Sequence, residues 1–175
     1  MASLILTLVG PDRPGLVREV SERVAQRGGS WLESRMARLA GQFAGIVRVE
    51  LPDAETAALA AALGELEPAG YRVVVQSAAA EAPAGPSRSL QLDVIGQDHP
   101  GIVRAITGVL TARAINIEEL TTNVASGSFS GETLFQAQAR LRVPEAVELA
   151  GLQRDLERLS DELMVEIRVN DQPGR

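Results

Sequence analysis

The sequence contains no cysteine and only one histidine among its 175 residues. The missing cysteines exclude disulfide bonds, thiolate nucleophiles and cysteine-ligated metals. The single histidine, His99, follows Asp98, but no third group completes a recognisable catalytic or metal-ligating set. We therefore expect a protein that is not an enzyme and that holds neither a cofactor nor a metal ion.

Basic residues are also scarce. Lys and Arg number 17 against 23 Asp and Glu, which gives a formal net charge of −6. Proteins that bind nucleic acid usually carry a basic face, because neutralising phosphates supplies much of their affinity. The charge therefore disfavours direct binding to DNA.

Long apolar runs are absent as well. No stretch approaches the roughly 20 apolar residues that span a membrane. The apolar start, MASLILTLVG, lacks the basic leading segment and the small-residue cleavage site of a secretory signal. Together with the missing cysteines, these observations predict a cytoplasmic protein with no membrane association.

The most informative feature that is present is an internal repeat. The segment GPDRPGLVR at 10–18 matches GQDHPGIVR at 96–104, with six identities in nine positions and no gap. Alternating apolar residues precede both segments, as in a half-buried strand, and apolar residues at helical spacing follow them. The matched sets are Leu4, Leu6, Leu8 with Leu90, Leu92, Val94, and Leu16, Val17, Val20, Val24 with Ile102, Val103, Ile106, Leu110.

The rest of each copy also has one common pattern. Pro14 and Pro100 are expected in the first turn of the first helix, where the missing N–H costs nothing. Two strands then form a hairpin, Pro52 or Pro144 opens a second helix, and a last strand closes the copy. The predicted buried leucines of the second helices are Leu59, Leu63, Leu66, Leu152, Leu156 and Leu159.

This order of elements predicts an α+β protein of two ferredoxin-like βαββαβ domains, each an antiparallel sheet with both helices on one face. We place the domains at residues 1–77 and 89–171. The segment between them, AAAEAPAGPSR at 78–88, has the Ala, Pro and Gly content of a linker.

A first strand that ends in G-x-D-x-P-G-[LI]-V and leads into a helix resembles the start of an ACT domain. Two such domains, covering nearly the whole chain, resemble the family of glycine cleavage system transcriptional repressors and related tandem-ACT regulators. The resemblance implies a regulatory protein that binds an amino acid where neighbouring domains meet. It also implies control of glycine-cleavage or related gene expression through a transcriptional activator protein, without direct contact to nucleic acid.

The repeated loop is itself a candidate site for a small zwitterion. The first turn of a helix offers unpaired N–H groups and a partial positive charge to a carboxylate. Gly15 and Gly101 allow a ligand to approach the backbone, and Asp12 and Asp98 offer a negative charge to an α-ammonium group. The same glycines and aspartates also have conformational and loop-bonding interpretations. An effector such as glycine or serine suits a site so near the backbone.

Further candidate residues come from the flanks of this loop. Ser30 and Asn116 open the second strand of each copy and would add a hydroxyl or an amide. His99 stands where the first copy has Arg13, and a solvated surface histidine is the alternative interpretation. The full candidate set is Asp12, Arg13, Pro14, Gly15, Leu16 and Ser30, then Asp98, His99, Pro100, Gly101, Ile102 and Asn116.

Two other functions stay open at this point. RNA-recognition modules share the βαββαβ order but stack bases on exposed aromatic residues. Aromatic residues make up only 3% here, and Phe43 and Phe135 fall in the buried phase. The stronger alternative is an oligomerisation module that regulates a metabolic enzyme without binding a metabolite. Ile5, Thr7 and Val9 form a rather apolar second face on the first strand, which favours association into a homodimer or with a partner.

Overall fold

The computed structural model of the protein describes residues 1–79, 85–126 and 133–171. The chain separates into two compact units, Met1–Glu81 and Ala82–Arg175. Residues 80–84 of the predicted linker lie outside the described residues, so the linker bounds stay a prediction.

Each unit has the predicted order of strands and helices. The elements of the first unit are β1 (Ala2–Pro11), α1 (Leu16–Ala25), β2 (Ser30–Leu39), β3 (Gln42–Leu51), α2 (Thr56–Gly64) and β4 (Arg72–Ser77). Those of the second unit are β5 (Ser87–Gln97), α3 (Ile102–Ala112), β6 (Asn116–Ser126), β7 (Thr133–Pro144), α4 (Leu149–Leu163) and β8 (Val165–Asp171).

Each unit contains one four-stranded sheet in which every neighbouring pair is antiparallel. The strand orders are β2-β3-β1-β4 and β6-β7-β5-β8. The first strand of each unit is therefore central, between the third and the fourth strands. This arrangement confirms the predicted α+β class and the ferredoxin-like topology.

The core of each unit lies between the sheet and its two helices. The predicted alternation of β1 and β5 is confirmed, because their inward side chains are at most 4% exposed; these are Leu4, Leu6, Leu8, Leu90, Leu92 and Val94. Residues of both helices pack against them, so the helices cover one face of the sheet. Val17 and Val103 correct the predicted helical stripe. They are 43% and 41% exposed, because each lies about 100° around the helix from the buried residue before it.

The second helices begin later than predicted. A 3₁₀ turn at Asp53–Glu55 separates Pro52 from α2. Pro144 is the last residue of β7, and its carbonyl accepts a bond from the Val147 N–H in the turn before α4. The predicted leucines of both second helices are nonetheless buried. No helix in the described ranges is both long and apolar enough to cross a membrane.

The outer faces of the two sheets differ in polarity. In the first unit Val9, Ile46 and Val74 are 42%, 51% and 45% exposed, with Ile46 and Val74 on either side of Thr7. In the second unit the outer face forms a cleft of about 780 Å³ whose lining is mostly polar, including Gln91, Asp93, Asn123, Gln136, Gln138, Arg168 and Asn170. The same fold therefore forms with different side chains on the outer face of the sheet. The fold itself does not require the exposed apolar residues of the first unit.

Candidate functional site

The loops that join the first strand of each unit to its first helix contain the repeated motif. The first glycine of the motif is required by close packing. A Cβ on Gly10 would lie 2.3 Å from Cδ1 of Tyr71, and one on Gly96 would lie 2.6 Å from Cγ1 of Val165. Because real Cβ contacts are not this short, only glycine lets the last strand approach the first at this point.

The second glycine of the motif has a different role. Gly15 and Gly101 are the N-cap residues of α1 and α3, with φ of 106° and 102°. This left-handed conformation favours glycine. Among the described residues, no side chain caps either helix, and a Cβ at either position would have no atom within 4 Å. The first N–H groups of both helices are therefore left to solvent or to a ligand.

The prolines and the following apolar residues flank this exposed backbone. Pro14 and Pro100 lie in the turn two residues before the first helical residue, so the prediction that they occupy the first helical turn is wrong. Leu16 and Ile102 begin the helices with side chains 4% and 2% exposed. Those two residues can offer a ligand only their backbone N–H groups.

The two motif aspartates have different surroundings. The backbone N–H of Asp12 donates to the Gly41 carbonyl at 3.0 Å, and that of Asp98 donates to the Thr133 carbonyl at 2.8 Å. The Asp12 carboxylate forms an ion pair with Nε of Arg38, at 2.5 Å. The Asp98 carboxylate has no hydrogen-bond or ion-pair partner within the described part of the chain. The negative charge of the second loop is thus available, and that of the first is paired.

The residues after the aspartates also differ between the loops. Arg13 is exposed to solvent. The ring of His99 is partly buried, with Nε2 3.1 Å from the Leu163 carbonyl and Nδ1 3.2 Å from the Pro100 carbonyl. A carbonyl only accepts, so whichever ring nitrogen carries a proton donates to it. With its proton on Nε2, His99 donates to the Leu163 carbonyl and holds the loop against the C-terminal end of α4.

Ser30 and Asn116 do not lie beside the loops of their own units. In the second sheet Asn116 lies opposite Arg142, which lies opposite Ser89 on β5. Ser89 precedes Gln97, the last residue before the loop, by eight positions, or about 26 Å of extended chain at roughly 3.3 Å per residue. One unit alone therefore does not bring Asn116 to this loop, and Ser30 has the equivalent position in the first unit.

Sequence reasoning missed the contacts that the loops make with distant parts of the chain. Arg38 was not identified, although the hairpin around Gly41 places it opposite Phe43, which lies opposite Gly10. The Leu163 carbonyl was missed because a backbone atom leaves no signal in the sequence. Within the described ranges, no group of three or more histidine or acidic residues could hold a metal ion.

These loops and sheets define a tandem ACT-domain protein. A model of the ACT domain family matches residues 2–75 and again residues 88–170. Because the two matches cover nearly the whole chain, the chain belongs to the ACT domain family and carries two copies of the domain.

Two solved structures are similar to this chain over nearly its full length. A protein of unknown function from Galdieria sulphuraria is 31% identical, with a TM-score of 0.88, over 98% of this chain and 99% of that one. A proposed glycine cleavage system transcriptional repressor is 21% identical, with a TM-score of 0.72, over 99% of this chain and 98% of that one. At this level of sequence identity, the similarity to the second structure shows a shared fold. No curated protein matches the chain significantly.

Proposed function

We propose that this protein is an amino-acid-sensing regulator that binds a small effector, such as glycine or serine, at its strand-to-helix loops. In this proposal it is not an enzyme. It acts as a homodimer and controls glycine-cleavage or related gene expression through a protein partner, such as a transcriptional activator. The observation that supports the proposal is the proximity in sequence of an uncapped helix N-terminus and the Asp98 carboxylate, which has no partner among the described residues.

The ligand's carboxylate is assigned to the N-terminus of α3. The first N–H groups of this helix lack a side-chain cap, and the macrodipole adds a partial positive charge there. Gly101 leaves the space above the backbone open, since no atom of the described part of the chain lies within 4 Å of where a Cβ would stand. A carboxylate can therefore approach the N–H groups without displacing a protein side chain.

The ligand's ammonium group is assigned to Asp98. Its side chain lies three residues before the N-cap and lacks a partner among the described residues. A bond between an ammonium group and a carboxylate is charge-assisted and stronger than one between neutral groups. Separate groups for the two charges select an α-amino acid over a simple carboxylate or a simple amine.

A second copy of the chain is required if Asn116 is to contact the same ligand. Asn116 lies about 26 Å, at roughly 3.3 Å per residue, from the loop of its own unit. Asn116 of the partner subunit could instead contact a ligand bound at the Asp98 loop. The proposed homodimer and the proposed role of Asn116 thus support each other, and Ser30 would have the same relation to the Asp12 loop.

The regulatory part of the proposal draws on the fold and the charge. A repressor-named protein shares the fold over its full length, and the net charge of −6 disfavours direct contact with nucleic acid. The cytoplasm, where an operon activator is found, is the proposed location.

One specific observation favours a second candidate function, an oligomerisation module that regulates a metabolic enzyme without binding a metabolite. Val9, Ile46 and Val74 form an exposed apolar patch on the outer face of the first sheet, where Arg72 and Arg35 border it. The outer face of the second sheet is lined mostly by polar residues, with Ile95 40% exposed among them. An exposed apolar patch of this kind is typical of protein interfaces. The two candidates differ in one measurable property, the effect of amino acids on the purified protein.

The primary test is a thermal-shift and calorimetric titration with the twenty amino acids, beginning with glycine and serine. A ligand at 100 times its Kd should add about 2.7 kcal/mol to the free energy of unfolding. Asp98→Asn should remove the effect, whereas Asp161→Asn, an exposed carboxylate on α4, should not. If no amino acid at millimolar concentration shifts the melting temperature, amino-acid sensing is wrong and the oligomerisation module is favoured.

A mixing experiment tests whether the site is shared between copies. Asp98→Asn and Asn116→Ala should each abolish binding in a homodimer. In a mixed dimer one of the two sites combines the intact loop of one copy with the intact Asn116 of the other. Random mixing should therefore restore about a quarter of the sites of the unsubstituted protein, as expected for a two-fold symmetric dimer. Binding that is not restored by mixing would contradict the shared site.

A further inference from the structure

The two loops differ at one position on the neighbouring hairpin. Arg38 on β2 lies opposite Phe43, which lies opposite the motif glycine Gly10. In the second sheet Val124 on β6 lies opposite Phe135, which lies opposite Gly96. Arg38 and Val124 are thus equivalent by strand register, and one is a cation where the other is an exposed apolar residue.

The cation changes the state of the motif carboxylate. Nε of Arg38 lies 2.5 Å from Oδ2 of Asp12, so the guanidinium occupies the position that a ligand's ammonium group would need. Val124 has no charge, and Asp98 has no ion-pair partner among the described residues. The two carboxylates hold equivalent positions in the motif, and the presence or absence of this cation accompanies the difference in their ion pairing.

The charges around the two loops increase the contrast. Arg13 and Arg38 give the first loop two cations beside the single charge of Asp12. The second loop has Asp98 with His99, whose Nε2 lies 3.1 Å from the Leu163 carbonyl. An approaching ammonium group therefore meets excess positive charge at the first loop. At the second loop it meets the Asp98 carboxylate, which has no ion-pair partner among the described residues.

We infer that Arg38 restricts amino-acid binding to the second unit, an inference that rests on the proposed function. The first loop keeps the fold of a binding site, but its carboxylate is already bonded. The Asp12–Arg38 pair is exposed, with side-chain exposures of 35% and 69%. To bind at the first loop, the ligand's ammonium group must displace Arg38 from Asp12 and then lie near this like charge. Together these two costs weaken binding at the first loop by about tenfold.

A titration with glycine as the probe, followed by ¹H–¹⁵N NMR of the full chain, tests the inference. The amide signals of Gly15 and Gly101 report on the two helix N-termini separately. We expect glycine to shift the Gly101 signal at concentrations about tenfold lower than those that shift the Gly15 signal. Calorimetry should give one strong site per chain.

Exchanging the two residues provides the matched variants. Val124→Arg should weaken binding at the second loop by about tenfold, and Arg38→Val should strengthen binding at the first loop by a similar factor. Arg35→Val removes another arginine from β2, and Asn123→Arg adds one to the outer face of β6. These two controls should leave both affinities unchanged.

The outcomes separate the inference from the proposed function. Equal affinities at both loops, or stronger binding at the first loop, would overturn the inference and leave amino-acid sensing intact. Exchange variants that behave like their controls would also overturn it. If none of the twenty amino acids binds either loop in any variant, the proposed function and the inference are both wrong.

Discussion

Replacing Met164 with glycine should stabilise the second unit. Met164 ends α4 with φ of 53° and ψ of 43°, the left-handed conformation that side chains disfavour. Its own side chain is 78% exposed and so contributes little to packing. The equivalent residue in the first unit is Gly70, with φ of 90°. Gly70 directly precedes Tyr71, which packs on Gly10, just as Met164 directly precedes Val165, which packs on Gly96.

The expected gain follows from two opposing terms. A residue other than glycine loses about 1–2 kcal/mol in the left-handed region. Glycine gains extra freedom in the unfolded chain, which offsets about 0.5–1 kcal/mol of this. Met164→Gly should therefore raise the free energy of unfolding by about 0.5–1 kcal/mol, which corresponds to several degrees of melting temperature in a domain of this size.

Urea titration and thermal unfolding of the full chain would measure this change. Met164→Ala serves as the control, because it removes the exposed side chain and keeps the Cβ that makes the conformation costly. It should leave stability nearly unchanged, and Gly70→Ala should lower it. Equal stabilities of the glycine and alanine variants at 164 would refute the conformational explanation.

Two further predictions concern contacts within the second unit. The Arg113 guanidinium donates two hydrogen bonds to Asp155 and holds the pKa of that carboxyl below its usual value of 3.8. A carboxyl whose pKa is lower in the folded than in the unfolded state stabilises the protein above its unfolded pKa, and this stabilisation is lost as the pH falls. Arg113→Met should therefore lower the free energy of unfolding at pH 7. The stability difference from the unsubstituted protein should shrink as the pH falls below about 4, as measured by urea titration across pH. Gly96→Ala should cost about 1–3 kcal/mol, since the new Cβ would meet Val165 at 2.6 Å. If Gly96→Ala left the urea midpoint unchanged, the close approach of β5 to β8 would not be needed for stability.

The regular parts of the fold follow from local periodicity, and the loop contacts do not. Leu4, Leu6 and Leu8 predict their strand and its buried face because side-chain direction alternates along any strand. The sequence predicts too early a start for α4 because Pro144 is compatible with both a strand end and a helix start. Sequence alone could not choose between them, because that choice depends on the pairing of Pro144 with Ser87.

The contacts at the candidate site depend on residues far apart in the chain. The Asp12–Arg38 pair needs the register between β1 and β3, in addition to the hairpin that sequence can predict. The His99–Leu163 contact joins positions 64 residues apart through a backbone carbonyl. The site hypothesis therefore named the loop residues and missed the ones that set their charge.

Comparison of the two copies separates residues that make the fold from those that distinguish the sites. Identical glycines have backbone explanations, namely a close strand approach at Gly10 and Gly96 and a positive φ at the two N-caps. None of these requires a ligand. Positions that differ include Arg13 with His99 and Arg38 with Val124 beside the loops, and Ser30 with Asn116 at the opposite ends of the sheets.

Each of these differences changes a charge or a hydrogen-bonding group at an equivalent position of the shared fold. A shared fold with different side chains at equivalent positions is what two sites of different affinity require. The same reasoning applies to the outer sheet faces, where Val74 of β4 has a polar counterpart in Arg168 of β8. We therefore expect substitutions at the shared glycines to change stability, and exchanges at the differing positions to change binding with little effect on the fold.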